Sequence, residues 1–434
     1  MSIKQPTEHY EVIILGAGVS GLVSASILLS QGYRRILIAD GYDHVGGNHI
    51  DWSANGYTFD IGSFIFQDDS PLLKHFPELL PRYTAAFPTW GRLNPQGRVT
   101  AYPLSVKDDI VNAGPIDWIR IIASLFYARL FHRRMHNAKD FARYWIGSHL
   151  LHSSGLESYM KRFYGVPPDQ IDIQLAEKRM HWVSEHASLR NFLRRILSLH
   201  QIRKRPSNRQ LVRPKEGFRF LYDAAVERLK KSGVVFHLGA TFRTIERSAE
   251  TFLVRIEDRT IVSGRVISTI PISHIEEICG LGSDKLNSIT LLSLFFSFSG
   301  RRQFDHSILY NFSHEGAWKR LTMYSDFYGK QNGREYFTVE VIGNHVDFST
   351  ELAEQDFRRH VHTNHLFDGD LRLEGSTVLE NAYPIYSDGS NERAAQAIIA
   401  LKAAGIESFG RQGGFNYQPT ARVSTIDAEA ALKR

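Results

Sequence analysis

A single cysteine, Cys279, stands in 434 residues, accompanied by only five methionines. One thiol excludes an internal disulfide and a cysteine-built metal cluster, and it suits a reducing cytosol. Charge of one sign is scarce too. The 52 bases meet 46 acids, and the net +6 is too mild to argue a nucleic-acid protein without a known module. Internal repeats and low-complexity segments are missing. So are a P-loop, an H-E-x-x-H motif and a recognisable Ser-His-Asp arrangement, which leaves no signal for those chemistries. The long uncharged run at 12–33, "VIILGAGVSGLVSASILLSQGY", has the length of a membrane span or signal peptide. Glycines and serines interrupt it, and a buried strand, tight turn and buried helix account for it better.

What is there is a globular composition, 43% hydrophobic and 12% aromatic, with length for two or three domains. The opening "YEVIILGAGVSGLVSASILLSQGYRRILIAD" predicts a strand over 11–15, a glycine turn, a helix over about 20–31 and a second strand ending at Asp40. Gly16, Gly18 and Gly21 fit the G-x-G-x-x-G fingerprint: a tight turn, close backbone approach to a pyrophosphate, and close packing of helix on sheet. The helix N-terminus then faces the phosphates, and Asp40 stands where a carboxylate accepts ribose hydroxyls.

Residues 106–204 read as a helical cap. Within them "IDWIRIIASLFYARLFHRRMH" is expected as a core helix, with a membrane-surface patch as its second meaning. Segments 205–270 and 375–434 return to α/β, and 271–374 alternates as an antiparallel sheet. The expected class is therefore α/β: a discontinuous Rossmann-like domain (1–105, 205–270, 375–434), an inserted helical cap (106–204) and an antiparallel-sheet substrate domain (271–374). "HVHTNH" at 360–365 has metal-like spacing but lies in a charged, surface-like segment, so no metal is expected. The run "RKRPSNRQLVRPKEGF", 203–218, crowds six basic side chains into thirteen positions, which suits an anionic ligand or plain solvation.

Taken in order, "GAGVSG", "VGGNHIDW", "AYPLS", "MKRFYGVPPDQI", "RPKEGF", "RVISTIPIS", "NFSHEGAWKRLT", "AYPIYSD" and "FGRQGGFNY" resemble the UDP-galactopyranose mutase family along nearly the whole chain. More distantly they resemble the FAD-dependent amine oxidase and protoporphyrinogen oxidase superfamily. The resemblance implies FAD, with Gly46, Gly47 and Asn48 along the cofactor and Ile61, Gly62 and Ser63 near the flavin ring. Phe242, Gly410 and Arg411 complete that cofactor set. It implies a nucleotide diphosphate held by Arg209 and Arg320, with Tyr383 and Tyr417 near sugar and phosphates. Two guanidinium forks suit a diphosphate as lysines do not.

The implied activity is pyranose/furanose interconversion of a nucleotide sugar at reduced flavin N5, for polysaccharide or glycoconjugate synthesis in the cytoplasm. The rival is an oxidase-like FAD enzyme taking hydride from a small molecule. The family's flavin-side histidines are replaced here by Phe64 and Gln67, and the residues after Tyr417 by Gln418 and Pro419, so both walls of the site differ from the mutase pattern. The partner is a nucleotide-diphosphate sugar or another small molecule, with peripheral membrane contact as an open alternative and a monomer or homodimer as the state.

Overall fold

The computed structural model describes residues 8–62, 64–104, 108–109, 114–179, 210–282, 286–387 and 389–433. Two large sheets organise it. The first is built around strand Glu8–Leu15, whose residues Val12–Leu15 are buried on both faces, as a central parallel strand requires. It pairs in parallel with Ile36–Asp40 on one side and Arg259–Ser268 on the other. Val235–Leu238 extends the sheet beyond Ile36–Asp40, and Ile406–Ser408 pairs in parallel with the end of Arg259–Ser268. The antiparallel strands Thr251–Ile256 and Phe242–Ser248 finish the far edge. Three separated stretches of chain thus make one sheet, the discontinuous arrangement expected. Helix Val19–Ser30 follows the first strand and packs against the closing helix Ala421–Ala431.

The second sheet runs Phe367–Pro384, Ser288–Arg302, Glu335–Ile342, Trp318–Met323, Ile308–Asn311, Trp90–Leu93 and Val99–Ala101 in spatial order. All but one of its pairings are antiparallel; Ile308–Asn311 runs parallel to Trp90–Leu93. The last two strands come from the stretch that the sequence reading assigned to the first domain. They join the second sheet because Trp90–Leu93 pairs with Ile308–Asn311. One face of this sheet carries Phe337, Val339 and Val341 against Phe357 and Val361 of helix Thr350–Thr363. By the two-residue alternation of a strand, Tyr336, Thr338 and Glu340 face the other way, toward the first sheet.

Helices Pro115–Phe131, Ala138–Ser153, Leu156–Tyr164 and Ile173–Arg179 form the described part of the cap. The core-helix expectation for 115–131 is corrected. Only Ile121 and Ala128 are buried, while Ile116, Ile119, Phe126, Leu130 and Phe131 stand in solvent.

Candidate functional site

A groove with a cavity of about 460 Å³ opens at the carboxyl end of the first parallel strands, where open α/β sheets bind ligands. Gly16, Gly18, Asp40, Gly46, Gly47, Asn48, Phe242 and Arg411 line it, brought together from four separated stretches. The turn is as tight as the glycine fingerprint demands. A Cβ on Gly21 would sit 1.9 Å from the carbonyl oxygen of Gly16, so any side chain there pushes the helix off the strand. The second glycine pair packs on the first: Gly46 donates its N–H to the Ala17 carbonyl at 2.9 Å, and a Cβ on Gly47 would lie 3.1 Å from the Gly18 Cα.

Gly18 caps helix Val19–Ser30 without a side-chain acceptor, leaving the first-turn N–H groups directed at the groove. The Asp40 carboxylate accepts the N–H groups of Ala17 (2.5 Å) and Tyr42 (2.8 Å), which fixes it at the groove wall. Burial raises its pKa, against the pull of those two bonds. His49, also on the groove wall, is buried with its Nδ1 2.6 Å from the Tyr222 hydroxyl, and burial pushes its pKa down to about 3, keeping the ring neutral. Gln418, buried at the opposite wall, donates to Asp427 at 2.9 Å, while its Oε1 has no partner among the described residues.

Beyond Asn48 and Arg411 the groove continues into a second cavity of about 250 Å³ between the second sheet, helix Leu156–Tyr164 and the segments at Asn48, Gly62 and Arg411. Gly62, Arg320, Tyr383 and Tyr417 line it, and so do three residues the sequence reading passed over: Lys319, Glu340 and Tyr310. Lys319 and Arg320 share a face because the ladder to Glu335–Ile342 shifts between Trp318 and Arg320. Trp318 stays in the core behind the sheet, and the extra residue turns Lys319 forward alongside Arg320. Both converge on the Glu340 carboxylate: Lys319 Nζ lies 3.1 Å from Oε2, and Arg320 Nη2 contacts Oε1.

Arg320 Nη2 also donates to the Gly62 carbonyl at 2.5 Å, tying the second sheet to the turn after Tyr57–Ile61, while its Nε has no partner among the described residues. Lys319 Nζ donates to the Tyr383 hydroxyl at 3.2 Å, and that hydroxyl donates to the Phe163 carbonyl at 2.6 Å. Burial lowers the Lys319 pKa despite Glu340. Burial also opposes ionisation of Glu340, but the Arg320 and Lys319 charges outweigh it and hold its pKa below the ordinary value. Tyr102 stacks on Tyr310 at 4.3 Å, and Tyr159 meets Tyr310 edge-on, so the remaining wall is aromatic.

The other expected residues distribute as follows. Ile61 is buried at the end of its strand, next to Gly62. Gly410 donates its N–H to Asp427 at 2.9 Å, and a Cβ there would lie 2.9 Å from Ser20 Oγ, so it abuts the helix start and is not a groove wall. Ser63 and Arg209 lie outside the described residues. Arg213, at the end of the basic run, is fully buried on Asp60 and donates to the carbonyls of Thr58 and Pro214, a structural anchor for the hairpin 50–61. Phe64 is buried edge-on against Tyr324 and Phe327, and Gln67 accepts from Arg422 at 2.9 Å. In "HVHTNH", both ring nitrogens of His360 are engaged, Nδ1 by the Trp318 indole at 2.8 Å and Nε2 by Ser313 at 3.0 Å.

Fold and groove together define a dinucleotide-binding protein whose groove runs on into a second cavity. Residues 19–331 match the flavin-containing amine oxidoreductase family, and the chain belongs to it; its cofactor is FAD. Similar folds include reduced UDP-galactopyranose mutase (TM-score 0.77, 18% identity, 97% of this chain and 94% of that one). A putative protoporphyrinogen oxidase from Exiguobacterium sp. 255-15 follows at TM-score 0.70, 14% identity and 97% of both chains. Prolycopene isomerase 2 of an Oncidium hybrid cultivar is 36% identical over 61 residues, 14% of this chain, and the match spans only 10% of that protein. The residues fit the cofactor. The uncapped helix end and the glycine cradle would hold its pyrophosphate, Asp40 its ribose, and the unpartnered Gln418 Oε1 offers a further acceptor.

Proposed function

We propose that the chain is an FAD-dependent enzyme acting on a nucleotide-diphosphate sugar, interconverting its pyranose and furanose forms. One observation carries this reading. In the inner cavity two cations, Lys319 and Arg320, share one buried acid, Glu340. A buried excess of positive charge is costly until an anion meets it, and it repels a protonated amine. An anionic substrate group satisfies it. A bound flavin would supply the electron-rich ring for chemistry at the anomeric carbon, and this chain does the rest. Arg320, through its Nε, receives the phosphate. Lys319 and Tyr383 form a hydrogen-bond row to the Phe163 carbonyl that orients the sugar hydroxyls. Tyr417 and the stacked Tyr102 and Tyr310 exclude water. In this reading Arg209, which lies outside the described residues, contributes a second fork.

The aromatic wall of Tyr102, Tyr159, Phe163 and Tyr310 favours a second reading, oxidation of a planar small molecule by hydride transfer. The test is to titrate the purified yellow protein, oxidised and dithionite-reduced, with UDP, GDP and TDP, and then to follow nucleotide sugars. Tight diphosphate binding weakened by Lys319→Met, with turnover but no net oxidation, is the expected result. Flavin bleaching by an amine or alcohol with peroxide release, and no diphosphate binding, overturns it.

A further inference from the structure

Helix Pro115–Phe131 is apolar on both faces. The face it turns to the protein carries Trp118, Ile121, Ser124, Leu125, Ala128 and Arg129, of which only Ile121 and Ala128 are fully buried. Ser124 accepts the His149 N–H at 3.0 Å, and the Arg129 guanidinium lies 4.4 Å and 4.6 Å above the rings of Tyr144 and Trp145. The neighbouring helix bends at Gly147, which comes so near that a Cβ there would lie 2.9 Å from the Leu125 nitrogen. These contacts fix the helix's rotation, so the outward face is a settled surface. That face presents Ile116, Ile119, Ile122, Phe126, Tyr127, Leu130 and Phe131, five of them between 62% and 70% exposed, and Arg120 is the only charge standing fully among them.

A contiguous apolar face of this kind marks a binding surface. We propose that it seats the protein on a bilayer bearing anionic headgroups. Charge names the occupant. Between 114 and 145 there are six bases against the acids Asp117 and Asp140; Lys139 is paired with Glu157 and Arg129 is turned inward on Tyr144 and Trp145, which leaves Arg133, Arg134 and Arg143 to carry the excess. Arg133 and Arg134 stand exposed directly after the apolar face. Both acids are already engaged, Asp117 by Arg120 and His149, and the Asp140 carboxylate by the His136 backbone N–H at 3.2 Å. A second copy would therefore bring the same cations and no spare carboxylate to meet them, whereas anionic headgroups meet them at the depth where the apolar side chains enter the acyl boundary. The helix lies on the surface and does not cross, since no described helix is long and apolar enough to span.

The FAD-loaded full chain is floated with vesicles of phosphatidylcholine containing about 30% phosphatidylserine, and with phosphatidylcholine alone. Wild type is expected to float with the anionic vesicles and to be released by salt. Phe126→Ser/Leu130→Ser should bind at least about tenfold more weakly, since two buried apolar side chains are lost. Arg133→Glu/Arg134→Glu should lose the preference for phosphatidylserine. Flavin absorbance and sedimentation check that each variant is folded. Wild type that stays in the load fraction with both vesicle types overturns the proposal. So does a wild-type dimer that Phe126→Ser/Leu130→Ser dissociates while vesicles are ignored, because the face then belongs to a second copy.

Discussion

Replacing Glu340 by glutamine tests the charge balance of the inner cavity. Among the described residues the carboxylate is the only acid facing Lys319 and Arg320, and it is 3% exposed. Removing one partner of a buried ion pair costs about 3–5 kcal/mol, because the stranded charge keeps its desolvation penalty. Glutamine retains one carbonyl for Arg320, so the loss is expected near about 3 kcal/mol. Ligand binding should move the other way. A carboxylate about 5 Å from a bound diphosphate repels each phosphate charge by about 3 kcal/mol at an effective dielectric of about 20. Its neutralisation should therefore tighten UDP by tenfold or more after relaxation.

The assays are urea unfolding followed by flavin release, and calorimetric titration with UDP. The double variant Lys319→Met/Glu340→Gln has the same net cavity charge as wild type and should recover most of the stability and near wild-type UDP affinity. Glu340→Gln with unchanged stability, or with UDP binding equal to or weaker than wild type, refutes the reasoning.

Gly21→Ala is expected to yield colourless protein, because its Cβ would meet the Gly16 carbonyl oxygen at 1.9 Å and displace the helix end from the groove; the ratio of flavin to protein absorbance measures it. His360 should make the fold acid-labile. Its Nδ1 accepts the Trp318 indole proton, and burial, first among the causes, lowers its pKa from 6.5 to about 4. A folded-state value below the unfolded one gives stability that is present above pH 6.5 and drains away as pH falls to about 4, at about 1.4 kcal/mol per unit. Urea midpoints at pH 7 and pH 5 should differ less in His360→Gln than in wild type; an equal difference sinks the assignment.

The cofactor groove was legible because its residues work through backbone geometry, which leaves marks in sequence. A glycine turn between strand and helix, an acid at the next strand end and a second glycine pair each have one physical use at that spacing. The C-terminal wall came through resemblance, with Arg411 where the two cavities meet and Tyr417 on the inner one. The inner cavity was harder to read. Arg320 stood out, but Lys319 beside it should point the opposite way in a regular strand, and only the irregular ladder brings both forward. Glu340 did leave a signal, since "FTVEVIG" places a lone acid in a strand whose alternate residues are buried valines. Arg213 misled in the other direction. Its neighbours in sequence advertise a solvated basic run, and only the fold shows it locked on Asp60. The helix at 115–131 carries a periodicity that fits a core and a surface equally well, and Gly147 and Ser124 decided which face turned inward.

The sheet that carries the groove is stitched from distant parts of the chain, and that has a consequence during synthesis. Gly16 and Arg411, which line the same groove, are separated by about four hundred residues, so roughly 20–80 s of translation pass between them. Throughout that interval the glycine turn waits with an unfinished wall, and strand Ile406–Ser408 has yet to dock on Arg259–Ser268. Cofactor capture therefore waits for residues 406–411 to emerge, and a ribosome stalled before that strand would hold a chain with its nucleotide loop made and nothing to close over it.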